Sequence, residues 1–315
     1  MSRRTATLII VAVLALTSCS ANDGGDPPAS RSAIPPASTG PQPTTPSAGA
    51  SARPQTTAAS APAPVGAAPN RSFPVRVRKL QLSRGEDRPL PTTVWYPATG
   101  KGPYPVIVFS HGLTGRPEDY ASLLTRWARA GFVVAGAAYP HTSRGAAEFT
   151  VLDLVNQPVD ASYVLTELLA LNRKQGDPLE NRLDETHVAA AGHSGGGITT
   201  LGMLSGNRDK RLTAAVVLAG RQLLAAPFTG PETPVLFVHG KLDRTVRYAD
   251  GLAAFEAVPW PRALLTLPRG GHITTGGPDF TRVVTTTTDF WRWSLYGDAP
   301  ARKRLAATNN FRDDL

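Results

Sequence analysis

From about residue 71 onward, short apolar runs alternate with stretches whose apolar residues recur at helical spacing. Pro105-Val106-Ile107-Val108-Phe109 reads as a buried strand ending at Ser110-His111-Gly112. Glu118 to Gly131 then sets Tyr120, Leu123, Leu124 and Trp127 on one helical face and stops at a glycine. The same alternation continues to Tyr296. Strands are predicted at Phe132–Tyr139, His187–His193, Leu212–Gly220, Pro234–His239 and Ala263–Leu267. Helices are predicted at Pro158–Gln175, Gly195–Leu204, Tyr248–Ala257 and Asp279–Tyr296. Two earlier runs, Val75–Leu82 and Thr92–Tyr96, read as an antiparallel hairpin at one edge. The fold class this implies is α/β: a mostly parallel sheet covered by helices on both faces, with ligands expected outside the carboxyl ends of the strands.

The first 70 residues carry a different pattern. Ser2-Arg3-Arg4 precedes a stretch from Ala6 to Leu16 that is apolar except for Thr7, the layout of an export signal and too short for a permanent membrane span. Leu16-Thr17-Ser18-Cys19 closes it and resembles the bacterial lipoprotein signal, which implies cleavage before Cys19 and lipidation of its thiol. From Ser20 to Asn70 there is no Leu, Phe, Tyr or Trp, and Pro, Ala, Ser, Thr and Gly dominate, so the segment reads as a disordered tether. The expected organisation is a signal peptide at 1–18, a lipidated cysteine and tether at 19–70, a catalytic domain at 71–297 and a tail at 298–315. The expected location is the outer face of the cell membrane, with the anchor as the membrane partner.

Cys19 is the only cysteine, so no disulfide can form within the chain and its core alone must hold the fold. The formal charge is +9 but scattered, with no basic run of five. That argues for solubility and weak attraction to anionic polymers, and against nucleic-acid binding.

One motif carries chemistry. Gly192-His193-Ser194-Gly195-Gly196 fits G-x-S-x-G and joins the strand at Val188–Ala191 to a helix, the setting a nucleophile elbow requires. A serine on so sharp a turn is strained, and its flanking positions must be nearly free of side chains. The helix starting at Gly195 directs its positive end toward the oxygen under attack.

These residues resemble the α/β-hydrolase superfamily, whose triad runs serine, acid, histidine along the chain. The resemblance implies Ser194 as nucleophile, Asp243 as orienting acid and His272 as base. His272, in Arg269-Gly270-Gly271-His272-Ile273, is the one histidine beyond Asp243. Asp250, Asp209, Glu232 and Glu256 stand as rival acids. The implied oxyanion donors are the amides of Gly195 and of Leu113, within Ser110-His111-Gly112-Leu113-Thr114-Gly115. Position alone nominates Thr114, Arg221, Gln222 and Ile273 as cleft lining.

Only Arg221 to Thr233 separates two strands where lidded members insert a cap, so no large lid is expected, while His141 to Gln157 could form one wall. The chain is similar to the branch holding platelet-activating-factor acetylhydrolases, dienelactone-hydrolase-like proteins and cutinase-like polyester hydrolases. Dienelactone hydrolases proper use cysteine where this chain has Ser194. The implied activity is hydrolysis of small-molecule or lipid-like esters without metal or cofactor. An envelope acyltransferase, a polyester hydrolase and a non-catalytic lipoprotein are the alternatives.

Overall fold

The structure, a computed structural model, describes residues 68–315. The expected signal sequence, Cys19 and nearly all of the expected tether lie outside the described residues. Among the described residues, nine strands form one sheet: β1 (Val75–Ser83), β2 (Pro89–Pro97), β3 (Tyr104–Ser110), β4 (Val133–Ala137), β5 (Leu183–His193), β6 (Leu212–Leu218), β7 (Val235–Gly240), β8 (Arg262–Leu267) and β9 (Phe311–Asp314). Their order is β1-β2-β4-β3-β5-β6-β7-β8-β9. β4 through β8 run parallel, as expected of strands joined by helices. β1 and β2 form the predicted antiparallel hairpin at one edge, and β9 pairs antiparallel with β8 at the other.

Six α-helices among the described residues cover the sheet: α1 (Ala121–Arg129), α2 (Gln157–Ala170), α3 (Gly195–Leu204), α4 (Tyr248–Ala257), α5 (Phe280–Tyr296) and α6 (Ala299–Ala306). Strand residues alternate between two apolar layers, because successive side chains point to opposite faces. Val106 and Val108 of β3, Val188 and Ala190 of β5, and Val235 and Phe237 of β7 pack with Leu165 and Leu168 of α2 and Leu201 and Leu204 of α3. Ile107, Phe109, Ala189, Ala191, Leu236 and Val238 pack on the other side with Leu124 and Trp127 of α1 and Phe290 and Trp291 of α5. The small Ala189-Ala190-Ala191 run lets helices approach β5 closely at the centre of the sheet, where the serine turn emerges.

Two expectations change. Residues 298–315 are not a tail. Asp298 caps α6 by accepting from the Ala301 amide, α6 buries Ala301 and Leu305, and Phe311–Asp314 completes the sheet. The helix predicted from Glu118 begins as a 3-10 turn, Pro117–Tyr120, and becomes α-helical only at Ala121, since Pro117 has no amide to donate. Residues 219–234, where a lid would be inserted, contain no helix.

Candidate active site

Every candidate catalytic side chain lies on a segment that leaves the carboxyl end of a strand. Ser194 follows β5 and occupies φ 55°, ψ −118°, a left-handed conformation that a serine adopts only under constraint. Its amide donates to the Leu218 carbonyl at 2.9 Å, fixing the turn against β6. The flanking glycines are required by space. A Cβ on Gly196 would stand 1.9 Å from the Ser110 carbonyl oxygen, and one on Gly192 would stand 2.1 Å from the Gly196 carbonyl oxygen.

The turn delivers Ser194 Oγ to 2.8 Å from His272 Nε2. His272 Nδ1 lies 2.8 Å from Asp243 Oδ2. A carboxylate can only accept, so Nδ1 carries the proton and Nε2 is left to accept from the serine hydroxyl. Asp243 is buried, and its other oxygen accepts from the Thr245 and Val246 amides at 2.8 and 2.9 Å. Burial pushes this carboxyl up, but His239, His272 and the Val246 amide outweigh it and hold it well below the usual carboxylate range. Nε2 of His239 is 3.5 Å from Asp243 but donates to the Val246 carbonyl at 2.9 Å, so His272 makes the closer contact with the carboxylate.

The rival acids are committed elsewhere. Asp250 pairs with Arg247, Asp209 with Arg211, and Glu256 with Arg312. Glu232 lies beside Pro231 and Pro234, at the opposite end of the sheet.

Gly195 opens α3, so its amide has no carbonyl one turn earlier to bond. A Cβ on Gly195 would stand 3.4 Å from the Leu113 amide nitrogen, which places the two expected donors side by side. The Leu113 amide makes no hydrogen bond among the described residues. Its loop is anchored on both flanks: the Thr114 amide donates to the Thr142 carbonyl at 2.8 Å, and buried His111 donates from Nδ1 to the Gly112 carbonyl at 2.7 Å.

Of the residues nominated as lining, Ile273 is exposed beside His272. Thr114 is exposed at φ 59°, and its hydroxyl turns back onto the Leu113 carbonyl. Gln222 donates to the Ala226 carbonyl and, with Leu154, Ile198 and Leu223, lines a cavity beside α3, one turn from Ser194. Arg221 is half-buried after β6, and its Nε finds no partner. The segment from His141 to Gln157 does form a wall: Leu154 reaches within 3.2 Å of where a Gly195 Cβ would be. Gln157 locks that wall by donating to Thr142 and accepting from Thr199 of α3. Among the described residues, no group of three or more His, Cys, Asp or Glu side chains could hold a metal ion.

Tyr120 and His193 read in the sequence as core and turn residues, yet together they brace the site. The Gly112 amide donates to the Tyr120 hydroxyl at 3.0 Å, that hydroxyl lies 3.0 Å from His193 Nδ1, and His193 Nε2 lies 2.9 Å from the His272 carbonyl oxygen. The arrangement is satisfied with Nε2 protonated and Nδ1 accepting from Tyr120. A chain of hydrogen bonds thus links the oxyanion loop to the backbone of His272. The one available signal was a tyrosine among leucines on a buried face, since a buried phenol seeks a partner.

Burial lowers both His111 and His193 from 6.5 to about 4. Both rings stay neutral in the fold, whereas the unfolded chain takes up protons below about pH 6.5. The stability they contribute is therefore complete above about pH 6.5 and declines as the pH falls toward 4. Between pH 7 and 5 the expected loss is about 2 kcal/mol per ring. Urea unfolding at the two pH values checks this, and an unchanged midpoint would refute it.

The parallel sheet, the strained serine turn and the ordered serine, acid and histidine define an α/β-hydrolase. A family model described as PETase, PET hydrolase-like, matches residues 44–256, and the chain belongs to that family of polyester hydrolases. The matched stretch includes Ser194 and Asp243 and stops short of His272. No curated protein matches the chain. Family membership makes this an ester hydrolase.

Proposed function

We propose that the protein hydrolyses carboxylic esters by covalent serine catalysis, acting outside the cytoplasm on small or lipid-like esters. The observation that carries this reading is the unbroken relay from Ser194 Oγ through His272 to Asp243, with both links at 2.8 Å. Ser194 Oγ attacks the ester carbonyl carbon while its proton passes to His272 Nε2. The carbonyl oxygen becomes an oxyanion between the Leu113 and Gly195 amides, each contributing roughly 2.7–4 kcal/mol of transition-state stabilisation. Asp243 steadies the imidazolium. As the intermediate collapses, the alcohol leaves with the proton from His272, and an acyl ester remains on Ser194. Water then attacks that ester, His272 takes the water's proton, and release of the acid returns the proton to Ser194.

The export signal and Cys19 support an anchored protein on the outer face of the cell membrane. The unlidded loop at 219–234 suits substrates too large for an enclosed pocket, which keeps polyesters within the same reading.

The test is labelling with a fluorophosphonate, followed by peptide mapping and a series of p-nitrophenyl esters of rising chain length. The label is expected on Ser194 alone, with loss of ester turnover in step with labelling. Label on another residue, or full turnover after Ser194 is blocked, overturns the assignment. Adding an acceptor alcohol separates hydrolysis from acyl transfer, because a transferase would yield the new ester in place of the free acid. Erosion of a polyester film would assign the polymer as substrate.

A further inference from the structure

Among the described residues, the strongly exposed large hydrophobic side chains are confined, Val77 of β1 apart, to segments at the carboxyl ends of the strands. Phe149 and Leu152 follow β4, Leu223 and Leu224 follow β6, Leu242 follows β7, and Ile273 follows β8. Leu152 is 74% exposed, Ile273 66%, Leu224 62% and Leu242 60%. Isolated exposed leucines are ordinary, but their restriction to one end of a molecule is not. They form two groups on either side of Ser194. Leu223 and Leu224 share a cavity wall with Leu154 and Ile198, beside the serine helix. Leu242 and Ile273 adjoin the acid and the base, and their loops are joined by the Leu242 amide donating to the Gly270 carbonyl at 2.9 Å.

The same end carries cations that are free of ion pairs. Arg116, Arg244 and Arg269 are exposed and form no ion pair among the described residues, whereas the neighbouring Arg144 and Arg247 are neutralised by Asp119 and Asp250. Lys241 lies over the Tyr248 ring, and half-buried Arg221 has an unpartnered Nε. Glu86 and Asp87 in the turn between β1 and β2, Glu148 and Asp279 are the unpaired acids there; on the loops that follow β7 and β8, Lys241, Arg244 and Arg269 are set against Asp279 alone, so positive charge prevails beside Asp243 and His272.

We propose that the end of the molecule carrying Ser194 is a docking face for an anionic phospholipid bilayer. The apolar collar enters the boundary between headgroups and acyl chains while the surrounding cations meet lipid phosphates. This rests on the reading that Ser194 acts on lipid-like esters, and it adds that the surface itself recognises the aggregate in which they lie. A neutral polymer would use the leucines but gain nothing from the cations. The charge therefore selects the lipid.

The test uses the full chain carrying Ser194→Ala, so that no product forms, and Cys19→Ser, so that no acyl anchor contributes. Its partition is measured on phosphatidylcholine vesicles with and without phosphatidylglycerol. Binding is expected to rise about tenfold or more with the anionic lipid and to weaken in high salt. Leu152→Ser with Leu224→Ser should lower partition by about tenfold or more. Arg244→Gln with Arg269→Gln should lower it by roughly fivefold per charge on the anionic vesicles alone. Val77→Ser, equally apolar but on β1, should leave it unchanged. Partition insensitive to both double substitutions, or equal on the two kinds of vesicle, would overturn the proposal. So would stronger binding to polyester particles that ignores the arginine substitutions. Turnover of a soluble short-chain ester by the chain retaining Ser194 is measured separately, because it needs the triad but no vesicle. Failure of docking would then stand apart from failure of catalysis.

Discussion

Replacing Ser194 with alanine is expected to lower turnover of an activated ester by about 10^4- to 10^6-fold, with KM changed far less. In the proposed mechanism the hydroxyl oxygen is the atom that forms the bond, and Cβ alone offers no substitute. What survives is the polarisation of the carbonyl by the Leu113 and Gly195 amides, which persists because neither donor depends on the serine side chain. His272→Ala should produce a loss of the same size, and the double variant little more, because the two groups act in a single step. Steady-state kinetics on p-nitrophenyl acetate measure all three. A residual rate of more than a few per cent in Ser194→Ala would mean that another residue attacks the ester. Strictly additive losses would mean that the imidazole and hydroxyl at 2.8 Å do not work as a unit.

The second large effect is on stability. Arg88, in the turn between β1 and β2, reaches over to the cleft wall. It makes a two-pronged contact with Asp153 at 2.9 Å on each arm, and its Nε bonds Asp160 at 2.9 Å. The side chains of Asp153 and Asp160 are 3% and 0% exposed, so neither carboxylate has water to fall back on. Arg84 adds a second cation to Asp160, and Asn156 donates to Asp153 at 2.8 Å. Burial pushes the Asp153 carboxyl up, but Arg88 and Asn156 together bring it below its ordinary value.

Arg88→Ala leaves two buried negative charges short of their partner, and a loss of about 3–5 kcal/mol is expected in urea unfolding followed by circular dichroism. The sign of its pH dependence is a further check. Without Arg88 the buried Asp153 carboxyl gains a proton more readily than in the parent fold, so the gap from the parent protein should narrow as the pH falls from 7 toward 4. A gap that stays constant would mean the loss comes from packing of the arginine stem. Because Asp153 lies in the turn that holds Leu154 against Gly195, ester turnover should fall as well at temperatures where the fold survives.

Much of this architecture is written in local pattern. Val106 to Phe109 alternates between two faces that are both covered, so the run is apolar throughout and legible as a buried strand. Gly192 and Gly196 could be read because the spatial demand they meet is set by the turn itself. The three candidate triad residues were legible through chain order, although they lie 29 and 78 residues apart in their two contacts. The last eighteen residues were not. α6 buries only Ala301 and Leu305, and β9 reads Phe-Arg-Asp-Asp, so neither shows an apolar period; both exist because the core and β8 provide the other half. Arg88 was equally silent, since its partners stand 65 and 72 residues away and nothing local marks one arginine among many. The bracing by Tyr120 and His193 depends on the sheet order, which brings segments 73 residues apart into register.

The short ninth strand has a bearing on how the molecule behaves at high density. It covers the flank of β8, where Ala263, Leu265 and Leu267 would otherwise offer an apolar ribbon with open backbone groups. In their place it presents Arg312, Asp313 and Asp314 to solvent. Charged side chains on the outermost ribbon discourage a neighbouring copy from adding itself strand to strand. Clipping the final few residues would strip that guard and leave a surface prone to self-association, even with the catalytic groups untouched.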